Sequence, residues 1–147
     1  WCERVYSPWT DLDKIMREEQ IPLFALESQE PVKNFDFLGI TIQFEMCYTN
    51  ILQILELSQI PLHSTERTEE DPIVIGGGPC AYNPEPLADF FDLFYIGEGE
   101  TVYDELLDTK NASQKERAEK NFWKWQPGLK EFMCHSSMSR NITRMGP

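Results

Sequence analysis

The sequence predicts an α/β fold in which a parallel β-sheet carries helices on both faces. Two observations predict it. Short apolar runs alternate along the chain with segments of helical periodicity, which is the order typical of a parallel sheet. The longest run, 37–42, is apolar almost throughout, as expected for a strand covered on both faces. The 147 residues, of which 41% are hydrophobic, suffice for one domain with a sizeable core.

The first elements are two short strands on either side of a helix. Residues 3–6 form a strand candidate. Thr10 followed by Asp13 resembles a capping box, and helical spacing of the next apolar residues predicts a helix over 11–20. A proline ends that helix, and 23–26 form the next strand candidate.

The middle of the chain repeats the alternation. The apolar strand 37–42 leads to a helix over 49–57, which is apolar on nearly every side and should be heavily buried. A short strand over 73–75 follows. Prolines bracket the start of a short helix over 87–90, and 93–96 form a further strand.

The last predicted element is a helix over 100–108. We assign residues 1–110 to the α/β domain and residues 111–147 to a linker and an irregular tail. The part after Lys120 shows no helical or strand period. It holds four basic residues and one acidic residue, whereas the whole chain has a net charge of −12.

The charge and the cysteines exclude several functions. A net charge of −12 repels phosphates and disfavours direct nucleic-acid binding. No apolar run reaches the length that spans a membrane. The four cysteines form no close pair, so a zinc or iron–sulfur site built from this chain alone is disfavoured. No signal peptide opens the chain, and we expect reduced thiols and a cytoplasmic location.

The candidate site lies at the carboxyl edge of the sheet, where α/β proteins bind ligands. Three predicted strands end there in unusual residues: 41–45, 76–80 and 97–100. Gly76-Gly-Gly78 either makes a tight turn or lets a backbone approach a ligand, and the residue types leave both open. Glu98 and Glu100 either complement a helix dipole or contact a ligand. No phosphate-binding loop and no Ser/His/Asp or Cys/His arrangement is present, so catalysis by this chain alone is weakly supported.

Several stretches carry a family resemblance. Residues 6–9, 21–28, 37–50 and 74–100 are similar to the amino-terminal region of B12-binding-domain radical SAM proteins, often labelled Fe–S oxidoreductases. The stretch 77–91, Gly-Gly-Pro-Cys-Ala-Tyr-Asn-Pro-Glu-Pro-Leu-Ala-Asp-Phe-Phe, is long and unusual, which makes the match specific.

The resemblance implies a flavodoxin-like, cobalamin-binding-type domain with three layers. A radical SAM barrel, absent from this chain, would follow and would hold a [4Fe–4S] cluster and S-adenosylmethionine. The resemblance places a corrinoid over the carboxyl ends of the strands, against Thr41, Gln43, Gly76, Gly77, Gly78, Gly97 and Gly99.

Two departures from the family pattern accompany this resemblance. The motif Asp-x-His-x-x-Gly, whose histidine ligates cobalt, is absent. The family's first strand and helix are also missing, which implies an incomplete sheet with an exposed edge.

Two functions follow from these observations. The first is a cofactor-binding or accessory amino-terminal domain of a radical SAM iron–sulfur enzyme, with the missing barrel as its partner. The alternative is a non-catalytic interaction or scaffold domain that binds no cofactor. A separate hypothesis concerns the tail: read one base over, codons allowed from Phe122 onward encode a family-like string, which would place the residues after Lys120 out of frame.

Overall fold

The computed structural model describes residues 2–97 and 106–108 together with the backbone of residues 132–134. Two α-helices, a further helical segment and four strands organise these residues. The elements are α1 (Thr10–Glu18), β1 (Phe37–Thr41), α2 (Tyr48–Leu57), β2 (Ile73–Gly77), β3 (Leu93–Tyr95) and β4 (Phe132–Cys134). Residues 106–108 are helical.

The four strands form one sheet in the order β1-β2-β3-β4. The first three strands are parallel, with Phe37 opposite Ile73 and Ile75 opposite Leu93. Strand β4 pairs antiparallel with β3. The three parallel strands make this an α/β fold compatible with a flavodoxin-like arrangement. The antiparallel β4 was not predicted, since it falls in the stretch without strand periodicity.

Apolar side chains cover both faces of the sheet. On one face, α1 and α2 contribute Met16, Ile51 and Leu55 to a buried cluster with Leu38 and Phe94. On the other face, Leu106 packs with Ile73 and Leu93. Helical segments therefore lie on both faces, because alternate side chains of a strand point to opposite sides.

The predicted helices 11–20 and 49–57 are confirmed as α1 and α2. In the structure each helix begins one residue before its predicted first residue. The predicted capping box is wrong. The N-cap residue of α1 is Trp9, and no side chain caps it. Asp13 instead pairs with Arg17 one turn later, at 3.0 Å, and accepts a hydrogen bond of 3.0 Å from Gln53.

The two strands predicted before β1 are not strands of the sheet. In 23–26, Phe24 forms an isolated bridge with Pro31. The amide of Leu26 donates to the carbonyl of Arg4 at 2.9 Å, which joins this segment to 3–6. Leu23 and Ala25 are buried, so apolar residues with strand-like spacing serve here as a buried loop.

The short helix predicted over 87–90 is a 3-10 turn, Glu85–Leu87. Pro84 precedes this turn and Pro86 lies within it, at positions where a helix start tolerates proline, so the prolines mark the start of the turn as predicted. Of the predicted helix 100–108, residues 106–108 are helical, and the remainder lies outside the described residues. Residue 122, where the proposed change of frame begins, lies outside them too.

A buried ion pair fixes the starts of β2 and β3. The Arg67 Nη1 lies 2.8 Å from Asp92 Oδ2, and the two side chains are 5% and 8% exposed. Arg67 also donates to the carbonyls of Pro61, Leu62 and Phe90 at 3.0, 3.0 and 2.6 Å. Asp92 accepts the amide of Val74 at 2.8 Å. Burial raises the pKa of the Asp92 carboxyl, although the Val74 amide and Arg67 oppose this.

Within the described part of the chain, no helix combines the length and the apolar character needed to cross a membrane.

Candidate functional site at the carboxyl edge of the sheet

The loops that follow β1 and β2 are hydrogen-bonded to each other at the carboxyl edge. The amide of Ile42 donates to the carbonyl of Gly77 at 2.7 Å, and the amide of Cys80 donates to the carbonyl of Ile42 at 3.1 Å. The structure thus places Thr41, Gln43 and the three glycines 76–78 at one edge, where the sequence predicts a site.

The third predicted segment follows β3 at the same edge. Gly97 is exposed and has a φ of 133°, a backbone conformation that favours glycine. Gly99, Glu98 and Glu100 lie outside the described residues.

Two of the three consecutive glycines are required by the packing of the chain itself. A Cβ on Gly76 would lie 2.9 Å from the Phe94 ring. Gly78 has a φ of 95°, and a Cβ there would lie 3.0 Å from the carbonyl oxygen of Ile42. Gly77 differs, since its nearest neighbour would be the Tyr95 carbonyl at 4.0 Å. The tight-turn interpretation therefore accounts for Gly76 and Gly78. Of the three glycines, only Gly77 has room for a Cβ without a close contact.

Large apolar side chains project from this edge into solvent. Phe44 and Met46, in the loop after β1, are 55% and 85% exposed, and Tyr82, in the loop after β2, is 73% exposed. We call these three residues the apolar edge. Exposed apolar groups that cluster on a protein surface commonly mark an interaction site.

Behind the apolar edge lies a partly buried group of thiols and one phenol. Burial raises the pKa of the Cys80 thiol, and the nearby Glu45 and Cys47 raise it further. Burial also raises the pKa of Tyr48, with contributions from Cys80, Glu45 and Cys47. Both groups therefore favour their neutral forms, and a neutral thiol is a poor nucleophile. The sequence analysis noted only that the cysteines form no close pair, and the positions of Cys47 and Cys80 in the segments after two strands were the available signal.

The opposite, amino edge of the sheet has an acidic cavity of about 450 Å³, lined by residues 33–36 and 69–71. Asp71 accepts hydrogen bonds of 2.9 and 3.1 Å from the amide and hydroxyl of Thr68, and its other oxygen lies 3.3 Å from Lys33 Nζ. Burial would raise the pKa of Asp71, but these partners bring it below its ordinary value.

The described residues offer little to a metal ion. They contain no group of three or more His, Cys, Asp or Glu side chains placed to hold one. His63 stacks on Phe90 at 5.3 Å in the connection that leads to the amino end of β2, away from the apolar edge. The thiols of Cys2, Cys47 and Cys80 are free.

Comparison with known proteins identifies relatives for most of the chain. The model of a family described as "Radical SAM proteins, N-terminal" matches residues 1–126. An uncharacterized protein of Methanocaldococcus jannaschii is 34% identical over 83 residues, which cover 56% of this chain and 17% of the relative. The chain therefore corresponds to a small part of that relative's length. No solved structure matches the chain significantly.

Proposed function

The chain belongs to the family of radical SAM proteins, N-terminal region, and from that premise we propose that it is an accessory region whose apolar edge packs against the catalytic part of the same enzyme. One observation carries the proposal. Two loops that are hydrogen-bonded to each other present Phe44, Met46 and Tyr82 to solvent at one edge.

Burying the apolar edge supplies a reason for domains to associate. Removing a large apolar side chain from water contributes about 1.5–3 kcal/mol when burial is complete. Three such side chains on two loops that are hydrogen-bonded to each other contribute apolar area to an interface, and the buried centre of an interface is usually apolar. The loops are held by backbone hydrogen bonds, so little ordering entropy opposes the contact.

The catalytic cofactors belong to the remainder of the enzyme in this proposal. A [4Fe–4S] cluster held by three cysteines would need three thiols in one place. The described cysteines include only two, Cys47 and Cys80, at the carboxyl edge.

The proposal is tested by hydrogen–deuterium exchange on the full-length enzyme. Met46→Glu and Tyr82→Glu place charges on the apolar edge, and we expect faster amide exchange over residues 42–48 and 79–82. Leu26→Glu is the matched control, since Leu26 is also exposed but lies elsewhere. Exchange over both segments that is unchanged by the Met46 and Tyr82 variants would contradict the proposal.

A second candidate is a corrinoid that lies flat on the apolar edge. The observation in its favour is the room at Gly77, where the nearest atom to a Cβ would be the Tyr95 carbonyl oxygen at 4.0 Å, on a sheet edge whose loops also expose apolar side chains. The fit is incomplete, because none of the described histidines lies at this edge to ligate cobalt. We therefore derive no step through cobalt.

A titration with hydroxocobalamin distinguishes the two candidates. Binding would change the visible spectrum of the corrinoid, and Tyr82→Ala should weaken it. An unchanged spectrum at high micromolar corrinoid with the folded full-length enzyme would leave the packing role as the function of this edge.

A further inference from the structure

The acidic cavity at the amino edge of the sheet carries an excess of negative charge. Its lining includes four carboxylates and one ammonium, those of Asp36, Glu69, Glu70 and Asp71 and that of Lys33. Glu69 and Glu70 are exposed. The partners of Asp71 hold its pKa below the ordinary value, so its carboxylate is charged at neutral pH. Because like charges around one cavity repel one another, this cavity favours a positively charged occupant.

One buried carboxylate oxygen of this cavity accepts no hydrogen bond. It is Asp71 Oδ1, and none of the described residues donates to it. Lys33 Nζ lies 3.3 Å away as a charge partner, and its side chain is 43% exposed, whereas that of Asp71 is 5% exposed. A buried acceptor without a hydrogen bond is unfavourable. A guanidinium has five donors and pairs well with carboxylates, so it would satisfy Asp71 once the exposed Lys33 side chain moves aside.

Strand β4 directs the chain toward the same end of the sheet. It runs antiparallel to β3, and Cys134 lies opposite Leu93, the first residue of β3. Residues 135–147 therefore begin at the amino edge. They contain Arg140 and Arg144 and no acidic residue, and we call them the basic segment.

The acidic cavity is within reach of the basic segment. Cys134 and Ile75 are separated by two strand spacings, about 10 Å. Asp71 precedes Ile75 by four residues, which is about 13 Å of extended chain. Arg140 follows Cys134 by six residues, which span about 20 Å when extended. The backbone alone therefore covers the separation, and the side chain of Arg140 adds to the reach.

We propose that the acidic cavity binds the arginines of the basic segment of the same chain. The opposite charges supply the attraction, and paired hydrogen bonds from a guanidinium to a carboxylate supply the geometry. The tether gives the basic segment a high effective concentration, which favours it over a basic segment of another molecule. The contact lies at the edge opposite the apolar edge, so it does not depend on the proposed function.

The test is the rate at which trypsin cleaves after Arg140 and Arg144 in the full chain. Trypsin must take the arginine side chain into its own pocket, so an arginine held in the acidic cavity is cleaved only when it is released. A synthetic peptide of residues 135–147 gives the rate in the absence of the cavity. We expect cleavage in the chain to be about 10-fold slower than in the peptide, which corresponds to an occupancy of about nine-tenths.

Two double variants separate the cavity from other causes of slow cleavage. Glu69→Gln with Glu70→Gln removes two charges of the cavity and retains the hydrogen bonds from Thr68 to Asp71. It should bring cleavage close to the rate of the peptide. Glu19→Gln with Glu85→Gln is the matched control, since both carboxylates are exposed and neither lines the cavity. The control should cleave as slowly as the wild type, and circular dichroism checks that both variants fold.

Three results would overturn the inference. The first is cleavage of the wild-type chain at the rate of the peptide, which needs no variant. The second is slow cleavage that the Glu69 and Glu70 variant does not relieve, or that the control relieves equally, since the arginines would then be held elsewhere. The third is slow cleavage that disappears on dilution of the chain, which would assign the cavity to the basic segment of a second copy.

Discussion

Replacing Arg67 by methionine should destabilise the chain strongly. The substitution removes the partner of Asp92 at 2.8 Å and the donor to three carbonyls, in a site where both side chains are more than nine-tenths buried. Breaking a buried pair by removing one partner costs about 3–5 kcal/mol, because a charge stays buried without compensation. For a domain of this size that corresponds to a fall in Tm of roughly 10–20 °C.

Urea unfolding followed by far-ultraviolet circular dichroism measures this loss. Lys14→Met is the matched control. Lys14 pairs with Glu18 at 3.7 Å on the surface, with side chains 73% and 60% exposed, and such pairs contribute about 1 kcal/mol or less. A loss for Arg67→Met no larger than that of Lys14→Met would refute the reasoning.

A double variant separates the buried charge from the other contacts of Arg67. Asp92→Asn keeps an oxygen that can accept from the Val74 amide and removes the charge. Arg67→Met with Asp92→Asn should therefore be less destabilised than the sum of the single variants.

The pH dependence of Arg67→Met has a definite sign. The folded-state pKa of Asp92 is already raised from 3.8 by burial, and loss of Arg67 raises it further. A raised folded pKa gives stability that is present below the unfolded value and lost as pH rises through the folded value. The loss relative to wild type should thus be smaller near about pH 4 than near about pH 7.

Three further predictions concern single sites. Gly78→Ala, at a φ of 95°, should cost about 1–3 kcal/mol in urea unfolding, whereas Gly77→Ala should be nearly neutral; equal effects would contradict the geometry. The lowered pKa of Asp71 contributes stability above its unfolded value of 3.8 that is lost as pH falls through the folded value, so the advantage of wild type over Asp71→Asn should shrink in acid. An advantage that stays constant down to about pH 2 would contradict it. Iodoacetamide should label the partly buried Cys80 more slowly than the exposed Cys2 at neutral pH, and equal rates would show that the thiol is not shielded.

The sequence predicted correctly those apolar runs that lie as strands in the covered sheet. The strands 37–42, 73–75 and 93–96 are confirmed, because continuous apolar runs suit a sheet covered on both faces. The segment 23–26 is also an apolar run, but it packs as a buried loop. An apolar run alone does not distinguish a strand of the sheet from a buried loop. The strand 132–134 is three residues long, which is too short for a period to show.

The sequence predicted that the segments after the strands meet at one edge of the sheet, but not which side chains are exposed there. Strand ends placed the site at the carboxyl edge, since parallel strands bring their carboxyl ends together. The exposure of Phe44, Met46 and Tyr82 depends on which surfaces the rest of the chain covers, and no local pattern encodes that. The partnership of Arg67 with Asp92, 25 residues apart, is likewise a property of the folded chain.

The three consecutive glycines show why a motif can identify a family more securely than a ligand. Gly76 leaves room for the Phe94 ring, and Gly78 lies against the backbone of Ile42. The packing of the chain would therefore require these two glycines even in a domain without a ligand. Gly77 has open space and is the position where a ligand or a neighbouring domain could approach the backbone. Gly77→Ala is therefore the change most specific to binding at this edge, because its Cβ would lie 4.0 Å from the nearest atom, the Tyr95 carbonyl oxygen.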